Sequence, residues 1–247
     1  MLSYIIIFSL LGSIFSTVGG LFLLWKEKFT KKISSFLISF AVGVLLAVAF
    51  LDVLPEAVEK LDRFEPLGFF ILVTIVFLFI VERALWWYHH HRMETEEHPH
   101  KHVHENQAYL LLIGDSIHNF IDGVLIAAAF FSSFPLGVGV AIGVIAHEIP
   151  QEIADFAIML GTGMKRAKVL ILNFLSSLVT VLGALLAYFS LSGTEKFTAY
   201  ILAIAAGVFI YVALSDLIPI IHHQSEHKYD LIHFLLLFSG VALIFFL

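Results

Sequence analysis

Eight apolar stretches, each long enough to cross the hydrocarbon core of a bilayer as a helix, constrain this chain most strongly. These spans 1 to 8 occupy residues 4–25, 33–54, 67–88, 108–131, 136–160, 169–191, 197–221 and 229–247. Only 14% of the residues are charged, whereas a soluble domain has about 25%. The pattern predicts an all-α integral membrane protein that forms one domain over residues 1–247 in a lipid bilayer.

Spans 4 and 5 each carry several polar residues at helical spacing. Span 4 contains Asp115, His118, Asn119 and Asp122, and span 5 contains His147, Glu148, Gln151, Glu152 and Asp155. At about 100° per residue, each set forms one stripe along its helix. An acidic residue at the bilayer centre costs about 2.5 kcal/mol or more. We therefore expect the two stripes to face each other.

Imidazole, carboxylate and amide groups together are a set of metal ligands. We predict that one divalent ion binds His118, Asp122, His147, Gln151 and Glu152, and that Asn119 and Glu148 complete an adjacent position. Imidazole favours Zn²⁺, while so many carboxylates would also accept Fe²⁺, Mn²⁺ or Cd²⁺. For Asp115 and Asp155 a structural role is equally open. For the isolated Asn173 and Asp216 the sequence favours a structural role.

Lysine and arginine are concentrated in alternate connections between the spans. The connections after spans 1, 3, 5 and 7, together with Arg83 near the end of span 3, hold all of them except Lys60, Arg63 and Lys196. The positive-inside rule then predicts a multi-pass protein of the cell membrane, plasma or inner, with these connections in the cytoplasm and both termini outside. No basic patch supports binding to nucleic acid.

Residues 89–107 form the longest connection and contain seven histidines interleaved with glutamates. We predict a His-rich cytoplasmic loop there. Clustered His and Glu side chains suit weak binding of a divalent cation. A polar loop that is merely rich in histidine is the alternative.

An internal repeat relates residues 41–55 to residues 205–219, with seven identities in fifteen positions. Both segments end in the pattern Asp-x-x-Pro. Because spans 2 and 7 cross in opposite directions, the repeat would be inverted, with spans 1 to 3 matching spans 6 to 8 around spans 4 and 5. Chance similarity between two Ala-, Val- and Gly-rich helices is the alternative.

The segment His147-Glu148-Ile149-Pro150-Gln151 begins like the His-Glu-x-x-His motif of zinc proteases. Gln151 occupies the position of the second histidine, and Pro150 disturbs the helix that the motif requires. We therefore predict no enzymatic activity. An intramembrane metalloprotease and a metal sensor that does not transport its ion are the alternatives.

The motifs His118-Asn119-Phe120-Ile121-Asp122-Gly123 and His147-Glu148-Ile149-Pro150-Gln151-Glu152 resemble those of the ZIP family, the Zrt- and Irt-like divalent metal transporters. The chain is similar to a bacterial-type member with the span 5 pattern His-Glu-x-Pro-x-Glu. The resemblance implies a binuclear-type site, metal transport into the cytoplasm with zinc as the first expectation, and a homodimer. It also implies that a bundle of spans 1, 4, 5 and 6 shifts against the rest.

The chain departs from this family pattern at three places. Gln151 stands where histidine is frequent, and span 6 offers Asn173 but no carboxylate. After Pro219 the chain has Ile220 where a glutamate is frequent, although His222 and His223 follow. These departures leave the preferred metal and the exit step open.

Overall fold

The computed structural model describes residues 1–25, 27–94, 101–191, 195–224 and 229–247, and these residues form helices joined by short turns. The α-helices are α1 (Leu2–Trp25), α2 (Glu27–Ala47), α3 (Leu54–Leu61), α4 (Glu65–Glu94), α5 (Lys101–Ser132), α6 (Phe134–Gly161), α7 (Arg166–Ser177), α8 (Val179–Leu191), α9 (Glu195–Tyr211), α10 (Ile218–Gln224) and α11 (Asp230–Phe245). Two π-helices, Val48–Val53 and Val212–Leu217, interrupt the second and seventh spans. The all-α prediction is confirmed.

Within the described ranges, seven helical runs are long and apolar enough to cross a membrane. They are Leu2–Phe22, Ile33–Leu61, Glu65–Ala84, Leu111–Ser132, Phe134–Gly161, Arg166–Ser190 and Lys196–His222. The eighth predicted span corresponds to α11, an apolar helix of 16 residues, which is slightly shorter than the usual spanning length. The chain is therefore a multi-pass membrane protein, and α11, its eighth predicted span, is shorter than we predicted.

The predicted loop at residues 89–107 is partly helical in its backbone. Helix α4 continues to Glu94, and α5 begins at Lys101. No glycine or proline stands between Phe69 and His98, so α4 can extend beyond its apolar part at little cost. Residues 95–100, and the histidine side chains of this segment to which we assigned metal binding, lie outside the described part of the chain.

The two π-helices occupy equivalent positions in the internal repeat. A shift of 164 residues (205 − 41) superimposes Val48–Val53 on Val212–Leu217. An α-helix with proline in its first turn follows each π-helix directly. Proline lacks the amide hydrogen and crowds the carbonyl four residues earlier, so the preceding turn cannot keep regular i→i−4 bonding. The shared Asp-x-x-Pro ending therefore has the same structural consequence in both repeats.

The packing of the helices repeats with the same shift. Helix α4 packs against α9, and its equivalent α11 packs against α2. Likewise α1 packs against α6, and its equivalent α8 packs against α5. This pattern requires a pseudo-two-fold axis that exchanges α5 and α6, and it confirms the predicted match of spans 1 to 3 with spans 6 to 8.

Ser13 and Ser177, which are also 164 residues apart, lie on this axis. The Ser13 hydroxyl donates to the carbonyl of Ser177 at 2.6 Å, and the Ser177 hydroxyl donates to the carbonyl of Ser13 at 3.4 Å. Equivalent residues can contact each other reciprocally only where a two-fold axis passes between them. The axis therefore runs through the interface between α1 and α7.

Helix α5 approaches α8 at backbone distance. A Cβ atom at Gly123 would lie 1.9 Å from the carbonyl oxygen of Thr180, and one at Gly183 would lie 2.1 Å from that of Phe120. Small residues permit this close approach, which membrane helices use in place of a hydrophobic driving force. It brings the polar stripe of α5 against Thr180 on one side while α6 covers the other side.

Candidate metal centre

Helices α5 and α6 form an antiparallel hairpin that brings the two polar stripes face to face. The turn is short because Ser133 caps the start of α6, where its hydroxyl accepts from the amide of Leu136 at 3.3 Å. The Nε2 atoms of His118 and His147 lie 3.0 Å apart. The expectation that the stripes face each other agrees with this arrangement.

Two carboxylate oxygens lie beside the contact between the two histidines, and His118, Asp122, His147 and Glu148 together form the histidine cluster. Asp122 Oδ2 lies 3.2 Å from His147 Nε2 and 3.7 Å from His118 Nε2. Glu148 Oε1 lies 3.6 Å from His118 Nε2 and 4.0 Å from His147 Nε2. In a tetrahedral site with bonds of about 2.0 to 2.2 Å, ligand atoms are about 3.4 Å apart. The spacing of this histidine cluster therefore suits tetrahedral coordination of a single ion.

A backbone hydrogen bond fixes the protonation of His147. Its Nδ1 lies 2.9 Å from the carbonyl oxygen of Gly143, which can only accept, so Nδ1 carries the hydrogen. Nε2 then has a lone pair that points toward the cluster. Metal-binding histidines are commonly oriented in this way by a second hydrogen bond.

A second group of possible ligands consists of carboxylates alone. Asp115, Glu148 and Glu152, the carboxylate cluster, each have an oxygen within 4.8 Å of the others. Glu148 thus belongs to both groups and joins them. An all-oxygen position accepts harder cations than the histidine cluster does.

Most of these carboxylate oxygens lack a hydrogen-bond partner in the part of the chain that the structure describes. Both oxygens of Asp122, Glu148 and Glu152 and one oxygen of Asp115 are buried and accept no hydrogen bond, although histidine nitrogens lie near Asp122 and Glu148. Leaving a buried charge without a partner costs several kcal/mol. Bound cations or protons must therefore neutralise the group. His118, with 21% of its side chain exposed, is the most accessible member of the histidine cluster.

The arrangement differs from the predicted grouping of ligands. Glu152 lies with Asp115 and Glu148, and not with the histidines, whereas Glu148 joins the histidines as well. Asp115, for which the sequence left a structural role open, belongs to the carboxylate cluster. The reason is the hairpin register, because residues equally distant from Ser133 face each other across the two antiparallel helices.

Asn119 has several hydrogen bonds of its own. Its Nδ2 donates to the backbone oxygen and to Oδ1 of Asp115, both at 3.1 Å. Its Oδ1 accepts from the hydroxyl of Thr180 at 2.8 Å. Asn119 therefore orients Asp115. Thr180 was not identified from the sequence, because a single threonine in an apolar helix gives no signal of a partner.

The sequence singled out three further polar residues in these helices and in α7. Gln151 is partly buried, and its role as a metal ligand stays a prediction. Asp155 is buried at 7% exposure but belongs to neither group of described residues. Asn173 donates to Met159 Sδ at 3.2 Å and to the carbonyl of Val169 at 2.9 Å, which fits the structural role that the sequence favoured.

Facing membrane helices with a cluster of histidines and carboxylates between them define an integral membrane protein with a candidate site for a divalent metal ion. A match to the family described as ZIP Zinc transporter covers residues 1–247. The chain belongs to this family. The family consists of transporters and not of enzymes, so the metalloprotease alternative is not supported.

Several zinc transporters are similar to half of the chain. Zinc transporter ZIP10 from Mus musculus is 38% identical over 124 residues, which are 50% of this chain and 15% of that protein. Zinc transporter ZIP4 from Homo sapiens is 40% identical over 111 residues, 45% of this chain and 17% of that protein. Zinc transporter ZIP6 from Homo sapiens is 37% identical over 122 residues, 49% of this chain and 16% of that protein. The matched part is thus a small fraction of each relative.

Proposed function

We propose that this protein transports divalent metal ions, with zinc as the preferred substrate, into the cytoplasm through the site between α5 and α6. The observation that carries the proposal is the histidine cluster, in which His118, Asp122, His147 and Glu148 have the spacing of tetrahedral zinc ligands. The name of the family and the names of its relatives support the choice of zinc.

Glu148 gives the site a simple means of passing an ion onward. Glu148 belongs both to the histidine cluster and to the carboxylate cluster. An ion can therefore exchange ligands between the two clusters without losing all of them at once. The carboxylate cluster of Asp115, Glu148 and Glu152 would hold a second ion. It would also bind Mn²⁺ or Fe²⁺, which are harder than Cd²⁺, more readily than the histidine cluster would.

Import is proposed from the distribution of basic residues. With both termini outside, His222 and the His-rich segment 89–107 lie on the cytoplasmic side of the membrane. Asp216 and His222 are exposed, so both side chains can meet a departing ion. The His-rich segment would bind the ion weakly after release.

A homodimer in the cell membrane is part of the same proposal. Helix α4 offers a surface for the dimer, since only 11% of its membrane-spanning part is buried against other described residues. Chemical cross-linking of the purified protein in lipid would show a dimer. A band of monomer size at every protein concentration would contradict this part of the proposal.

The test of transport is uptake of zinc into liposomes that contain the purified protein and a fluorescent zinc dye. We expect uptake by the wild type, and loss of uptake in His118→Ala and Glu148→Gln. Glu56→Gln serves as the matched control, because Glu56 is partly exposed, belongs to neither group of described ligands and forms an ion pair with Lys60 at 3.0 Å. Uptake that survives both substitutions in the cluster would contradict the proposed site. Bound zinc without uptake would favour a sensor.

A further inference from the structure

A groove opens toward the membrane between α5 and the α7–α8 pair. It has a volume of about 340 Å³ and is lined by Ile113, Ser116, Ile117, Phe120 and Val179. Ile113 and Ile117 are 56% and 58% exposed. The groove lies where the sixth span is interrupted between α7 and α8. An apolar depression of this kind in the hydrocarbon region must be filled by something other than water.

Contacts along the seam between these helices show which way the groove runs. Lys168 Nζ lies over the ring of Tyr109, 5.2 Å from its centroid. Further along both helices, the hydroxyls of Ser116 and Ser176 are 2.7 Å apart. Both helices therefore advance in the same direction, and the groove continues from the end marked by Tyr109 toward Phe120.

The end of the seam that contains Tyr109 is basic. Lys165, Arg166 and Lys168 stand together at the start of α7, and all three side chains are exposed. They lie at the membrane interface, because α7 begins the sixth span there. Basic residues at this depth attract anionic headgroups, by about fivefold in affinity for each charge.

We propose that an anionic phospholipid of the leaflet at this basic end binds along the seam, with its phosphate at Lys165 and Arg166 and an acyl chain in the groove. The dimensions agree. Tyr109 and Phe120 are eleven positions apart on α5, which gives a rise of about 16 Å, and one leaflet of hydrocarbon is about 15 Å thick. The occupant must be charged at the interface and apolar within one leaflet, which describes a phospholipid better than a helix of another protein.

The position of the groove gives such a lipid a way to affect the metal centre. Ser116 and Ile117 lie between Asp115 and His118 on α5, and their outer surfaces line the groove. An acyl chain packed there would fill the space beside α5 and hold it against α7 and α8. The bound lipid should therefore stabilise the hairpin that carries the ligands.

Native mass spectrometry of the intact protein tests this proposal, with phosphatidylglycerol and phosphatidylcholine of identical chains as the probes. We expect selective retention of one phosphatidylglycerol. The variant Lys165→Gln with Arg166→Gln should bind it roughly 30-fold more weakly. Ile117→Trp, which fills the groove, should also weaken binding. The variant Arg63→Gln with Lys196→Gln is the matched control, since both residues are exposed at other connections.

Three results would overturn the proposal. The first is equal retention of the two lipids, and the second is an equal loss in the control variant, which would indicate unspecific attraction. The third is a change in the dimer fraction of Ile117→Trp with unchanged lipid binding, which would place a second copy of the chain in the groove. Because lipid binding is measured without zinc, a failure here is distinguishable from a failure of the transport proposal. Unfolding midpoints of all variants confirm that each is folded.

Discussion

Replacing Glu148 with glutamine changes charge without changing shape, and it affects both groups of ligands at once. Glu148 is 2% exposed, and neither of its carboxylate oxygens has a hydrogen-bond partner among the described residues. In the absence of metal, Glu148→Gln should therefore stabilise the protein, because a neutral amide is cheaper to bury than a carboxylate that must either stay charged or take up a proton on folding. With zinc, the same substitution removes an anionic ligand from the cluster.

The expected magnitude follows from linkage between binding and folding. Zinc at 100 times its dissociation constant stabilises the wild type by about 2.7 kcal/mol. Loss of outer-shell partners alone weakens metal sites by 10 to 100-fold, so loss of a direct ligand should reach at least the upper value. A 100-fold weaker site at the same zinc concentration leaves about 0.4 kcal/mol of stabilisation.

The assay is thermal unfolding of purified protein in detergent, with and without zinc. Glu148→Gln should have a higher midpoint than the wild type without zinc and almost no shift when zinc is added. Glu56→Gln should behave like the wild type in both conditions. The reasoning would be refuted if Glu148→Gln kept the full zinc shift, or if it unfolded at a lower temperature without zinc.

Three further predictions concern pH, helix packing and the His-rich segment. Uptake should weaken as external pH falls from about 8 to 5, because protons compete with metal for histidine; a flat profile would argue against histidine ligands. Gly123→Ala should lower the unfolding midpoint, since its Cβ would lie 1.9 Å from the carbonyl of Thr180, at a cost of about 1 to 3 kcal/mol; Gly114→Ala, where nothing lies within 4 Å, should be nearly neutral. Deleting residues 93–104 should change the apparent affinity for zinc in uptake assays, and complete loss of uptake would show a larger role for this segment.

Most of the fold could be predicted from the sequence, because the length of an apolar stretch decides whether it spans the bilayer. The π-helices could not be predicted, although the shared Asp-x-x-Pro ending marked both places where they occur. The extension of α4 to Glu94 was missed because a polar composition was taken to indicate a loop, whereas no glycine or proline stands between Phe69 and His98.

The stripes identified the residues of the candidate site, but the angle around a helix does not show which residues are at the same height. The position of the turn between the two helices, at Ser133, determines which residues are at the same height. His118 and His147 are 15 and 14 residues from Ser133 (133 − 118 and 147 − 133), and Asp115 and Glu152 are 18 and 19 residues from it (133 − 115 and 152 − 133). Each pair meets in the structure. A serine cap between two apolar helices was the signal that remained unused.

The central claim is that a passing cation binds the imidazoles buried between α5 and α6 and neutralises the carboxylates beside them. Anomalous diffraction at the zinc edge, from crystals grown with zinc, tests it most directly. The account predicts a zinc ion about 2.0 to 2.2 Å from His118 Nε2, His147 Nε2, Asp122 and Glu148. The account would be contradicted if anomalous density appeared only elsewhere in the protein and these four side chains bound no ion.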